Sequence, residues 1–295
     1  MRIRYGIPVI AIAAALMLSG CVDNSAPSTP KTSTKGTTVD KAAAALLPAS
    51  IKSSKTIEVG VDATYPPDEF KDASGNVVGW DIDLFDAAAA KLGVKAKYTV
   101  ATFDSIIPSI TGGKYDAGVS SFTDNTDREK NVDFVNYYTA GIEWASAAGK
   151  TVDPDNACGL KVAVETGTVE ETDDVPGKSK ACTDAGKKAI QILKFDGQDA
   201  ATNAVVLGQA DAMSADSPIT DYAIKQSDGK LQAAGKSFEV APYGIAVNKG
   251  SSLAKALQKA FSDMLTDGSY TKILKKWGVE DGALTAITIN AAANS

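Results

Sequence analysis

The stretch TIEVGVDATYPPDEFKDASGNVVGWDIDLFDAAAAKLG, residues 56–93, sets the architecture. Its first six residues alternate apolar and polar or small side chains as a strand does. Residues 72–76 (DASGN) form a turn cluster that reverses the chain before Val77 and Val78, a hairpin-like excursion. Leu84, Phe85, Ala88 and Leu92 then recur at helical spacing, and Gly93 is a stop signal. The stretch is a first β-to-α unit.

The same order repeats on both sides of a midpoint. A strand at 96–100, a helix at 105–110 ended by Gly112 and Gly113, and a strand at 115–120 follow directly. A second set comprises strands at 160–165 and 190–194, a helix at 199–207 and a strand at 211–214. Strands alternating with helices predict parallel α/β sheets. After a strand at 243–247, Leu253, Leu257, Phe261, Met264 and Leu265 make the apolar stripe of a long helix that Gly268 ends. A last helix carries Tyr270, Ile273, Leu274 and Trp277; both stripes read as core packing. The alternation covers about 230 residues, 52–281, enough for two modest lobes.

The net charge of −6, with no histidine and dispersed Lys and Arg, argues against nucleic acid, whose phosphates demand a basic patch. Lack of histidine also removes the usual general base and the commonest transition-metal ligand. Hydrolytic and zinc chemistry become poor readings.

The N-terminus has an export layout: Arg2 and Arg4, an apolar run at 7–18, then Leu18-Ser19-Gly20-Cys21. The run is shorter than the roughly 20 residues of a membrane span. It resembles a bacterial lipobox, in which residues 1–20 are removed and Cys21 is lipidated; the alternative is an ordinary signal that contains a cysteine. Residues 22–38, rich in Ser, Thr, Pro and Lys, read as a flexible tether, which we extend to residue 52. Lipidation of Cys21 leaves Cys158 and Cys182 in an oxidising compartment, and the reading favours a disulfide over two free thiols.

Four segments, spanning residues 52–282, line up in order and spacing with the amino-acid-binding proteins of bacterial ABC importers (extracellular solute-binding protein family 3). They are GVDATYPP (60–67) with GWDIDL (79–84), FDSIIP (103–108) through GKYDA (113–117), SSFTDNTDR (120–128), and the split pair TGTVE (166–170) and Asp216. The chain resembles this family. The resemblance implies a type II periplasmic-binding fold, a Venus flytrap of two α/β lobes. Lobe 1 is expected at 53–142 plus 247–282 and lobe 2 at 147–242, with a two-strand hinge near 143–146 and 242–246 and a tail from 283 to 295.

The resemblance also implies a site. Arg128 offers a planar fork to an α-carboxylate, whereas taken alone it reads as a solvated or paired charge. The Thr123 N–H joins it, and Thr168 and Val169 add N–H groups from the second lobe at a helix start. Ser120 and Ser121 help Asp216 hold the α-ammonium. Tyr65 and Phe103 wall the ligand side chain, and Asp62 and Glu165 face it, which suits a cationic or amide-bearing side chain. The sequence departs from the family at Asp68, at Asp124-Asn125 and at Val169. The implied function is an extracytoplasmic lipoprotein, not an enzyme and without cofactor or metal. It captures a polar, basic-leaning amino acid and delivers it to an ABC permease with its cytoplasmic ATPase. It is expected as a monomer held at the outer face of the cytoplasmic membrane or in the periplasm. The rivals are a same-fold dehydratase and an amino-acid-sensing receptor component.

Overall fold

The computed structural model describes residues 38–292. The expected signal segment and the Cys21 lipidation site lie outside the described residues, as do residues 293–295 of the expected tail.

The folded chain starts earlier than the tether reading allows. Helices α1 (Lys41–Ala45) and α2 (Ala49–Ser54) occupy what was expected to be tether up to residue 52. Asp40 caps α1 by accepting from the N–H groups of Ala42 and Ala43 at 2.7 and 3.2 Å, and Pro48 separates the two helices. Ala43, Leu47 and Ile51, four residues apart, are buried in the main core. One face of the segment is therefore packed.

In the quoted stretch, β1 (Thr56–Val61) buries Ile57, Val59 and Val61. The excursion is a small antiparallel sheet of β2 (Thr64–Tyr65), β3 (Glu69–Lys71) and β4 (Val77–Val78). Helix α3 (Trp80–Lys91) follows Gly79, whose φ of 146° and contact with the Asp68 carbonyl leave no room for a Cβ. β5 (Lys95–Val100), α4 (Phe103–Thr111) and β6 (Ala117–Gly118) complete the set. Both β5 and β6 run parallel to β1. The strand expected at 115–120 is only two residues long.

The chain then crosses in one sixteen-residue strand, β7 (Val132–Ala147). The second set is β8 (Lys161–Glu165), α5 (Val175–Asp184), β9 (Gln191–Phe195), α6 (Gln198–Val206), β10 (Ala212–Asp216), α7 (Ser217–Gln226) and β11 (Leu231–Ala233). A disulfide joins Cys158 to Cys182 on α5. β12 (Phe238–Asn248) returns to the first set, followed by α8 (Ser252–Asp267), α9 (Ser269–Trp277) and β13 (Ala283–Ile289). β13 pairs with β7, so the expected tail contributes a strand.

The main sheet runs β5-β1-β6-β12-β7-β10-β8-β9, with β11 and β13 also on β7. It is a type II periplasmic-binding architecture with parallel ladders on both flanks and antiparallel crossing strands at its centre. One flank packs Leu84, Phe85, Leu257 and Phe261 around β1; the other packs Trp144, Val162, Val164 and Val175 around β8. Each such side chain contributes about 1.5–3 kcal/mol of burial. Along β7 the packing changes flank between Ala140 and Ile142, just ahead of the expected crossing at 143–146. Along β12 it changes between Phe238 and Tyr243, where the pairing with β7 also slips register.

Candidate functional site

Strand ends and the turns after them deliver every residue expected at the site to one small cavity between the flanks. Asp62 follows β1, Tyr65 lies on β2, Phe103 opens α4, and Ser120 and Ser121 follow β6. Thr123 and Arg128 sit on the loop before β7. From the other flank come Glu165 at the end of β8, Thr168 and Val169 in the next turn, and Asp216 at the end of β10.

Arg128 is held on three sides. Its N–H donates to Asn125 Oδ1 at 2.8 Å, so the asparagine that departs from the family pattern shapes the loop. Nη1 donates to the Thr123 carbonyl and Nη2 to the Gly167 carbonyl of the opposite flank, both at 2.8 Å. Thr123 thus also meets the arginine through its carbonyl, a contact beside the N–H role expected of it. The guanidinium lies 5.3 and 5.8 Å from the ring centres of Phe103 and Phe122, which stack on each other at 4.5 Å. Phe103 thus supports the cation as well as walling the cavity.

The acids are more numerous than the reading foresaw. Glu170, which opens a π-helical turn (Glu170–Asp174) ahead of α5, also lines the cavity. It is 1% exposed, and its Oε1 has no hydrogen-bond partner. Glu165 is equally buried, with its own Oε1 unpartnered. An acid at a helix start reads as ordinary complementarity to the helix dipole, which is why sequence gave no reason to single out Glu170. π-turns recur at functional sites, but their hydrogen bonding leaves no sequence signature.

Electrostatics follow from burial. Desolvation raises Asp62 from 3.8 to about 6, against the pull of bonds from Thr64. Asp216 also rises to about 6 through desolvation, opposed by hydroxyl contacts and by Arg128. Desolvation, reinforced by neighbouring acids, holds Glu165 and Glu170 well above the usual carboxylate range. Burial pulls Arg128 down, while Glu170 and Asp216 push back; a guanidinium stays charged under such conditions.

Hydrogen bonds fix the remaining walls. The Tyr65 hydroxyl donates to Asp216 Oδ2 at 3.0 Å and accepts from the Asp216 N–H at 3.2 Å, joining the flanks. Ser120 Oγ accepts from the Asp62 N–H at 3.0 Å. Ser121, at φ 47°, turns its hydroxyl away to Asp68 Oδ2 and Glu69 Oε2 at 3.0 and 3.1 Å. A hydroxyl carries one proton, so at least one of those carboxyls must itself be the donor. Asp68, the family departure, is thereby explained: it is buried, accepts from Trp80 Nε1 at 2.6 Å and lies behind the cavity.

A small closed cavity between two α/β lobes, with a fixed cation and several acids meeting across it, defines a clamshell solute-binding protein. The chain belongs to the bacterial extracellular solute-binding proteins, family 3, whose profile matches residues 57–280. It is 39% identical over 248 residues to the arginine-binding protein ArgT of Corynebacterium glutamicum, covering 83% of this chain and 82% of that one. Among solved structures, an ancestral arginine-binding protein bound to arginine superposes with a TM-score of 0.70 at 36% identity, covering 76% of this chain and 98% of that one. The ancestral amino acid-binding protein AncCDT-1, a precursor of cyclohexadienyl dehydratase, gives 0.67 at 33% identity, covering 77% and 97%.

Proposed function

We infer that this protein captures a basic amino acid, arginine foremost, and hands it to an ABC permease driven by a cytoplasmic ATPase. The observation that carries the reading is the charge inventory of the cavity: Arg128 faces Asp62, Glu165, Glu170 and Asp216. A zwitterion brings one carboxylate for Arg128 and one ammonium for Asp216, with Ser120 and Ser121 alongside. Asp62, Glu165 and Glu170 remain, and a cationic side chain offsets charge among them where a neutral one leaves all three uncompensated. The similarity to arginine-binding proteins supports the same reading. Thr168 and Val169 close over the carboxylate from the second lobe, while Tyr65 and Phe103 enclose the side chain.

The lobes meet at two crossings, 140–142 and 238–243, so the hinge lies on β7 and β12. Lipidation at Cys21 keeps the domain on the outer face of the cytoplasmic membrane. The protein binds its ligand unchanged as a monomer. One observation favours a second reading: Glu165 and Glu170, held well above the usual carboxylate range by burial, could donate a proton as a dehydratase requires. Against it, a dehydratase has no use for an acidic clamp on an ammonium.

A thermal-shift screen of the common amino acids tests the reading. At 100 times its Kd a ligand stabilises by about 2.7 kcal/mol, or about 5–10 °C in a domain of this size. Arginine, lysine or ornithine should give the largest shifts, and Arg128→Ala should abolish them. Shifts with acidic or aliphatic amino acids alone would overturn the basic reading, and release of water from a hydroxylated cyclohexadienyl carboxylate would establish the enzyme.

A further inference from the structure

We propose that Thr64 is a positioning residue that couples recognition of the ligand side chain at Asp62 to closure of the second lobe; the proposal rests on the basic-amino-acid reading above. Thr64 lies on β2 at the lobe boundary, one residue before Tyr65. Its hydroxyl donates to Asp62 Oδ1 at 2.6 Å, and its N–H donates to the same oxygen at 2.9 Å. The hydroxyl also accepts, at 3.1 Å, from the N–H of Gln198, the first residue of α6 on the opposite lobe. One oxygen thus links the carboxylate expected to meet the ligand's cation to the first turn of a lobe 2 helix.

The chain of bonds has a direction. Gln198 N–H points to Thr64 Oγ, and the Thr64 O–H points to Asp62. An ionised Asp62 is the stronger acceptor, polarising the hydroxyl and strengthening its acceptance from Gln198. The partial positive charge at the start of α6 adds in the same sense; Asp199, on that turn, directs Oδ1 to the Ala200 N–H at 2.7 Å. A cationic side chain that holds Asp62 ionised therefore tightens the contact that keeps the lobes together. A neutral side chain gives this contact no such support. Selectivity then arises partly in closure as well as in the pocket.

The packing on the far side of the bond supports the same link. Gly197, the residue before α6, has φ −147°, a backbone that any residue adopts. Yet a Cβ there would stand 2.9 Å from Thr64 Oγ and 3.0 Å from its Cγ2. Glycine is required by the closeness of Thr64 and of Asp199 Oδ1, also at 3.0 Å, not by its own conformation.

The test is calorimetric titration of the full chain with arginine. Thr64→Val should weaken binding about tenfold or more, the loss expected when a hydrogen bond to a charged group goes, while Thr64→Ser should stay within about threefold of wild type. In an Asp62→Asn background the Thr64→Val change should shrink to about threefold or less, because the two residues act as one unit. Gly197→Ala, placed on the other lobe, should weaken arginine as Thr64→Val does. Equal loss in both Asp62 backgrounds, tight binding by Thr64→Val, or wild-type affinity in Gly197→Ala would each overturn the coupling. If the wild type binds no basic amino acid, the functional reading falls and takes the coupling with it.

Discussion

Arg128 and Asp62 show how single residues divide the work. The guanidinium has five N–H donors; carbonyls of Thr123 and Gly167 take two, leaving the rest of the fork to a ligand. Its place at the cavity was legible because Ser-Ser-Phe-Thr-Asp-Asn-Thr-Asp-Arg is a long motif; the bond to Gly167 was not, since it joins segments far apart in sequence. Asp62 is raised from 3.8 to about 6 by burial, so its contribution to stability is full below pH 3.8 and lost as pH rises through about 6. Ligand-free Asp62→Asn should accordingly outlast wild type at pH 7.5, by about 1–3 kcal/mol, and match it at pH 4 in thermal melts. A less stable variant at pH 7.5 would mean that ionised Asp62 has a compensating partner in the empty protein.

At the level of elements, the reading succeeded where apolar residues follow one period. β1, α3, α8 and α9 lie within a few residues of their expected positions because each buries one face. β7 was expected only as a crossing strand at 143–146, and its full length from Val132 was not foreseen because it is buried on both faces, so period-two alternation disappears. The helices at 41–54 were hidden by a low-complexity look, although Ala43, Leu47 and Ile51 carry a four-residue repeat. β13 buries little beyond Ile287, which left it looking like a tail. It is nevertheless tied in: Leu284 N–H donates to Tyr270 Oη at 2.9 Å, Gln258 Nε2 to the Ile287 carbonyl at 3.0 Å, and Ala291 N–H to Asp124 Oδ2 at 2.8 Å. Ending the chain after residue 282 should lower stability by about 2–4 kcal/mol, counting about 1 kcal/mol per lost bond, as denaturant melts would register. An unchanged midpoint would make β13 an ornament of the sheet.

For the whole molecule, the bonds between lobes involve Tyr65 with Asp216, Thr64 with Gln198 and Arg128 with Gly167, all around the cavity. A ligand bridging the same residues should stabilise this closed arrangement at the expense of an open one. Small-angle scattering should show the radius of gyration falling when arginine is added to the wild type and staying constant with Arg128→Ala. A wild type whose radius ignores a bound ligand would place closure before binding. The two-lobed plan was readable in the sequence from the repeated alternation; where the packing changes flank along β7, just ahead of the expected crossing, was not, because the crossing strands belong to both cores.

The two crossing strands are not equivalent. β7 passes through as a single strand with β12 on one edge and β10 on the other, the two ladders overlapping at Ile142. β12 loses register with it between Phe238 and Ala241, and Glu239 there takes φ 50°. The molecule therefore behaves as a lever with one firm fulcrum and one slack strap beside it. On the proposed hinge, a handful of bonds formed far from these strands gains leverage over the whole swing of a lobe.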